Sequence, residues 1–127
     1  RESFGAGGNV SGGLCMDRKL KCIVKRPDEP FGDVAWIDDS LESLQDAVEG
    51  YIETVPLEGN VVLICNEEGK LIGLDRNFLL GNDWIVGTVI IIGTDGDELA
   101  DLPDSFTLDH WKIHYLKGLA WIGGRFG

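Results

Sequence analysis

From Lys19 to Lys25, apolar and polar positions alternate, with Leu20, Cys22 and Val24 set between basic residues. A period of two sends alternate side chains to opposite faces of a strand, so a first strand with one wet, basic face is predicted. The Pro27–Pro30 segment closes it with proline turn chemistry. Val34, Trp36 and Ile37 predict a second short strand ending at Asp38. The period then becomes helical at Leu41, Leu44, Ala47 and Val48. Asp39 followed three residues later by Glu42 has the form of a capping box, which predicts a helix over about 40–49 stopped by Gly50.

Beyond the helix the pattern returns to strands. Residues 51–57 alternate again, and Pro56 places the end of that strand at a sheet edge. Val61 to Cys65 is continuous and β-branched, Asn66–Gly69 reads as a turn with glycine suited to positive φ, and Leu71 to Leu74 follows, which together predict a β-hairpin. Residues 75–83 fit either a loop or one helical turn. Trp84 to Gly93 is the most hydrophobic stretch and predicts a central strand ending at the Thr94–Asp97 turn. After Pro103, Asp104 or Ser105 can cap a helix carrying Leu108, Trp111 and Tyr115, although Trp111, Ile113 and Tyr115 also alternate as a strand would. Helix is favoured over strand for 105–116, with both open.

The expected fold is α+β: an antiparallel or mixed sheet of about five strands packed against one central helix, with a C-terminal helix. Residues 1–15, with five glycines and little apolar periodicity, are expected to be a flexible leader, either non-native or an upstream extension of a domain starting near Met16. A single domain is expected over 16–117, followed by a glycine-rich tail over 118–127.

Composition narrows the class. A chain of 127 residues that is 43 % hydrophobic can bury one core. The longest apolar run, Ile85 to Ile92, is interrupted by Gly87 and Thr88, so no membrane-spanning helix is predicted. The N-terminal residues lack the apolar segment of a signal peptide, and Cys15, Cys22 and Cys65 show no C-x-x-C spacing. Reduced, mostly buried thiols and a cytoplasmic location are therefore expected. Net charge is −11, but from Pro27 to Trp111 only Lys70 and Arg76 stand against 20 carboxylates, a local net of −18. Such a surface repels the phosphate backbone and disfavours direct nucleic-acid binding.

Candidate chemistry is sparse. His110 and His114 stand four apart, as two zinc ligands on one helix face would, yet Trp111 replaces the glutamate that follows the first histidine in the metalloprotease pattern. Two solvent-facing histidines are the simpler reading, and no metal site is assigned. Asp95, Asp97, Glu98 and Asp101 are rich in carboxylate but lack the glycine position and closing glutamate of a calcium loop. Gly87, Gly93 and Gly96 lack the order of a dinucleotide-binding loop. Glu67 and Glu68 could shift each other's pKa, but exposure at a turn screens that effect. Cys65 as a nucleophile would need His110 or His114 beside it. No catalytic residue and no cofactor is assigned. Glu67, Glu68, Asp95, Asp97 and Glu98 remain as a candidate ligand or partner surface.

Three stretches in order, Gly50 to Leu57, Val61 to Leu71 (VVLICNEEGKL) and Ile85 to Thr88, resemble the family called domain of unknown function 3846 over roughly residues 20–103. Members occur in phages, plasmids and bacterial genomes. The resemblance implies a compact phage or mobile-element accessory domain and supplies no established catalytic residues. The functional expectation is a non-catalytic binding domain acting on a protein or a small polar ligand. One alternative is an acidic DNA-mimic decoy of a host nuclease or restriction enzyme, and another is a small enzyme with an unrecognised site. Solubility or salt adaptation is a simpler account of the acidity than a decoy.

Overall fold

The structure, a computed structural model, describes residues 18–116. The leader expected over 1–15, with Cys15, and the tail expected over 118–127 lie outside the described residues. In chain order the elements are β1 (Lys19–Lys25), β2 (Asp33–Asp38), α1 (Leu41–Val48), β3 (Ile52–Glu58), β4 (Val61–Asn66), β5 (Arg76–Leu80), β6 (Asp83–Val86), β7 (Val89–Asp95), β8 (Glu98–Ala100) and α2 (Leu108–Trp111). A π-helical turn, Lys112–Leu116, continues α2. Among the described residues all strand pairs are antiparallel. The main sheet runs β2-β1-β7-β4-β3, with β8 pairing β7, and β5-β6 form a separate two-stranded sheet. The expected α+β class, with its central and C-terminal helices, is the observed one.

Strand registers divide the side chains between two faces. Leu20, Cys22, Ile64, Ile90 and Ile92 share the face on which α1 lays Leu44 and Val48. Ile23, Leu63, Cys65, Val89 and Ile91 share the other face, covered by Phe78 and Ile85 of the β5-β6 hairpin and by Phe106, Trp111 and Leu116. The molecule is thus layered as helix, sheet, and a second layer built from hairpin and C-terminal helix. The wet side that alternation in β1 predicts survives only at the start of the strand, where Lys19 is exposed and Lys21 half-buried; at its end the second layer covers Lys25, which is 1 % exposed.

Several local expectations are corrected. Ser40, not Asp39, caps α1, its Oγ accepting from the Ser43 N–H at 3.1 Å. Glu49, not Gly50, takes the left-handed position that ends the helix, with φ 66°. β4 pairs backwards with β3 through a turn at Gly59–Asn60, and forwards with β7, so both its edges are occupied. Leu71–Leu74 therefore has no edge of β4 to join. Residues 67–74 instead coil on themselves, with Ile72 N–H bonded to Glu68 O at 3.1 Å and Leu74 N–H to Gly69 O at 2.9 Å. Gly69 is required there for close approach rather than positive φ, since a Cβ would stand 2.6 Å from Val86 Cγ2. Residues 75–83, expected as loop or helical turn, hold β5 and the turn into β6. The expected strand over 84–93 is broken at Gly87–Thr88, and only its second half, β7, is central in the sheet.

Among the described residues no helix is long and apolar enough to cross a membrane.

Candidate functional site

The β5-β6 hairpin is held on the sheet by a polar anchor between residues 52 positions apart. Lys25 Nζ donates to Asn77 Oδ1 and, at 3.4 Å, to the main-chain oxygens of Asn77 and Arg26. Asn77 Nδ2 returns bonds to Lys25 O at 2.9 Å and Gly87 O at 2.7 Å. An ammonium has three protons, and here three oxygens receive them. The oxygens belong to amides, so no carboxylate neutralises the charge at contact. Burial pushes the Lys25 pKa down to about 8, against the smaller opposing pull of Glu29 and Asp28. The loop over Lys25 closes through Gly32, whose φ of 80° and lack of a Cβ let it lie where a side chain would meet Lys25 Cα and Cβ at 2.8 Å. Trp111 Nε1 donates to Phe31 O at 2.9 Å and closes the same loop from the C-terminal side.

With Asn77 turned inward, the hairpin turns Arg76 outward. Its guanidinium carbon lies 5.0 Å from the Trp84 ring centroid, a cation–π contact. Lys70, from the 67–74 turn, reaches across to pair with Asp83. Lys70, Arg76, Asn82, Asp83 and Trp84 line a depression of about 350 Å³ whose apolar part is Leu74 and Val86. Beside it, Leu71 is 86 % and Ile72 58 % exposed. The turn is fixed from below by Asn66, whose Oδ1 accepts from Glu68 N–H at 2.7 Å while its Nδ2 donates to Val48 O at 3.0 Å. Asn66 thus ties the C-terminal end of α1 to the start of the turn.

A second grouping lies where the C-terminal helix meets the end of β3. Glu58 Oε1 accepts from Tyr115 OH at 2.7 Å and contacts His110 Nε2 at 2.9 Å. These two hydrogen bonds hold the Glu58 carboxyl below its usual pKa. Burial, reinforced by the adjacent Glu58, pushes Tyr115 up to about 12. The His110 and His114 rings lie 4.3 Å apart, with His110 edge-on to Phe106 at 4.8 Å. His114 is exposed, but His110 is half-buried and engaged, which corrects the expectation that both face solvent freely. Among the described residues no three His, Cys, Asp or Glu side chains are grouped to hold a metal ion.

The acidic residues singled out in the sequence fall into two places. Glu67 and Glu68 follow the C-terminal end of β4, whereas Asp95, Asp97 and Glu98 surround the β7-β8 turn. Because Val61 pairs with Gly93 in antiparallel register, these groups lie at opposite ends of the sheet and do not form one surface. Cys22 and Cys65 are buried free thiols, each pushed up to about 11, chiefly by burial. They are therefore protonated at neutral pH and poorly nucleophilic. The sequence pattern does not mark Lys25, Asn77, Arg76 or Trp84 as site residues. The available signal was slight: two lone cations, Lys70 and Arg76, six residues apart in an acidic body.

No curated protein and no solved structure matches the chain. A family model does, over residues 20–115, and so reaches past the 20–103 expected from three motifs to take in the C-terminal helix. Its match spans β1 through nearly all of the π-helical turn, including both layers and the anchor between them, and the chain accordingly belongs to the family described as Domain of unknown function (DUF3846).

Proposed function

We propose that this domain is a non-catalytic binding module, an accessory domain of a phage or mobile element, that grips a protein partner through its 67–74 turn. The observation that carries this reading is the pair Leu71 and Ile72, adjacent and 86 % and 58 % exposed at the tip of an anchored turn. Single exposed aliphatic residues are ordinary, but here two lie in the turn between Lys70 and Leu74, which line a depression together with Trp84 and Arg76. Tryptophan and arginine are the side chains most often found at the energetic centre of protein interfaces. The groups with reactive potential support the same reading, since both described cysteines are buried, Lys25 is enclosed by amide oxygens, and Glu58 is committed to His110 and Tyr115. The partner should offer an apolar cleft to Leu71 and Ile72.

The test is quantitative affinity capture from a bacterial lysate with three baits: wild type, the double variant Leu71→Ser/Ile72→Ser, and Leu41→Ser, which alters a different exposed aliphatic residue. A partner should be recovered on wild type and Leu41→Ser about tenfold more than on the double variant, equivalent to about 1.4 kcal/mol of binding. It should then bind the purified domain stoichiometrically in calorimetry. Equal recovery on all three baits, or turnover of a substrate by the purified domain, overturns the proposal.

A further inference from the structure

Lys70 and Arg76 are the only two lysine or arginine residues between Pro27 and Trp111, against 20 carboxylates, and both line the same depression of about 350 Å³. Lys70 is paired with Asp83. Arg76 has no carboxylate partner among the described residues; it lies over Trp84, its guanidinium carbon 5.0 Å from the ring centroid. A cation–π contact orients a guanidinium through its face and leaves its edge, where the five N–H donors point, free to bond. We propose that this depression binds a carboxylate carried on an apolar group about the size of an aromatic ring. Rim residue Arg76 takes the carboxylate in a two-pronged hydrogen bond, the Asn82 amide adds a further donor, and the apolar group rests on Leu74 and Val86.

Charge and volume choose this ligand class. Two cations and the Asp83 carboxylate leave one net positive charge in the depression, which matches a monoanion. A phosphate dianion would meet Asp83 and a strongly acidic body without a second free cation to offset it. The volume lies at the low end of small-molecule sites, enough for an aromatic ring with one substituent. The carboxylate could belong to a free small molecule or to the end of a partner's chain. The inference rests on the binding-module reading for its biological setting, but its chemistry depends on Arg76 and Trp84 rather than on Leu71 and Ile72.

The experiment is a titration of the ¹⁵N-labelled full chain, following the Trp84 indole N–H and the Arg76 side-chain N–H by NMR. The probes are benzoate, uncharged benzamide, inorganic phosphate, and a short acetylated peptide ending in phenylalanine as free acid or amide. Benzoate should shift both signals saturably with Kd on the order of 1 mM, and Arg76→Gln should weaken binding at least about tenfold while leaving the remaining spectrum in place. Benzamide and phosphate should leave the signals unmoved. The free-acid peptide binding more tightly than benzoate assigns the carboxylate to a chain end, and the reverse assigns it to a free small molecule. Equal responses to benzoate and benzamide, a stronger response to phosphate, no response to benzoate, or unchanged benzoate binding by Arg76→Gln each overturn the proposal. Leu71→Ser/Ile72→Ser should keep its benzoate response, so failure of the turn as a docking element and failure of the carboxylate site are separately visible.

Discussion

On the face of the sheet covered by α1, the packed core residues are aliphatic apart from one thiol: Leu20, Cys22, Leu44, Val48, Ile64, Ile90 and Ile92. The buried polar side chain at its margin, Asn66, is neutral and bonds the helix end beside it. The opposite face mixes aliphatic residues with Phe78, Phe106 and Trp111, and at its margin buries the charged Lys25 against Asn77. The first face is closed by one helix lying between two strands of the same sheet in the sequence. The second is closed by segments that lie far from β1 along the chain, and a cation is enclosed where they meet. Apolar closure needs only matching volume, whereas closure over a charge needs every proton to find an oxygen. The second face is therefore the more directional joint, and it is also the one whose outer surface carries Arg76, Trp84 and the exposed turn.

The largest expected effect tests that asymmetry at its centre. Asn77→Ala removes the side-chain acceptor of Lys25 and two bonds to main-chain oxygens, leaving a poorly compensated buried charge, and should destabilise the domain by about 3–5 kcal/mol in urea unfolding near neutral pH. The penalty should also depend on pH. The folded-state pKa of Lys25, about 8, lies below its ordinary 10.5, so between those values the unfolded chain holds more protons than the folded one. The unfavourable contribution of the lysine is therefore fully present below pH 8 and relieved as pH rises from 8 to 10.5. The loss in Asn77→Ala should shrink in parallel at alkaline pH, and a pH-independent loss would show that Lys25 does not carry the charge assigned to it.

Leu44→Ala probes the aliphatic face by removing a side chain that is 3 % exposed. A loss of roughly 3 kcal/mol is expected from transfer and cavity effects. It should be the same at neutral and alkaline pH, because the packed residues around it do not titrate below the range of a buried thiol. A pH-dependent loss there would erase the contrast between the faces.

The smallest effect is expected at Glu58, on the rim of the mixed face. Its lowered folded-state pKa means its contribution to stability is complete above the ordinary carboxylate value of 4.5 and disappears as pH falls through the lowered one. Glu58→Gln should lower the urea midpoint slightly at neutral pH and converge on wild type in acid, so that its own decline with falling pH is flatter. An unaltered acid limb would show that the bonds from His110 and Tyr115 add nothing measurable.

The sites were far less legible than the elements. Glu67, Glu68, Asp95, Asp97 and Glu98 stand out by composition, yet antiparallel pairing of β4 with β7 separates them into two ends of the sheet. Lys25 reads as one more basic residue on a wet strand face until Asn77, 52 residues later, is laid over it. VVLICNEEGKL reads as a hairpin because its turn chemistry is real, but Asn66 spends its side chain on α1 and on Glu68, and both edges of β4 are taken by other strands.

The sequence alone determined the α+β class, the helix near 40–49, and the strand character of β1, β2, β4 and β7, because periodicity and turn residues act over a few neighbours. Only the tertiary structure decided that both sheet faces are covered, that Lys25 is buried, that β5 and β6 within residues 76–86 form a second small sheet, and that Lys70 and Arg76 meet in one depression. Periodicity tells which side chains share a face, but whether that face meets water or another layer depends on contacts between segments far apart in the chain.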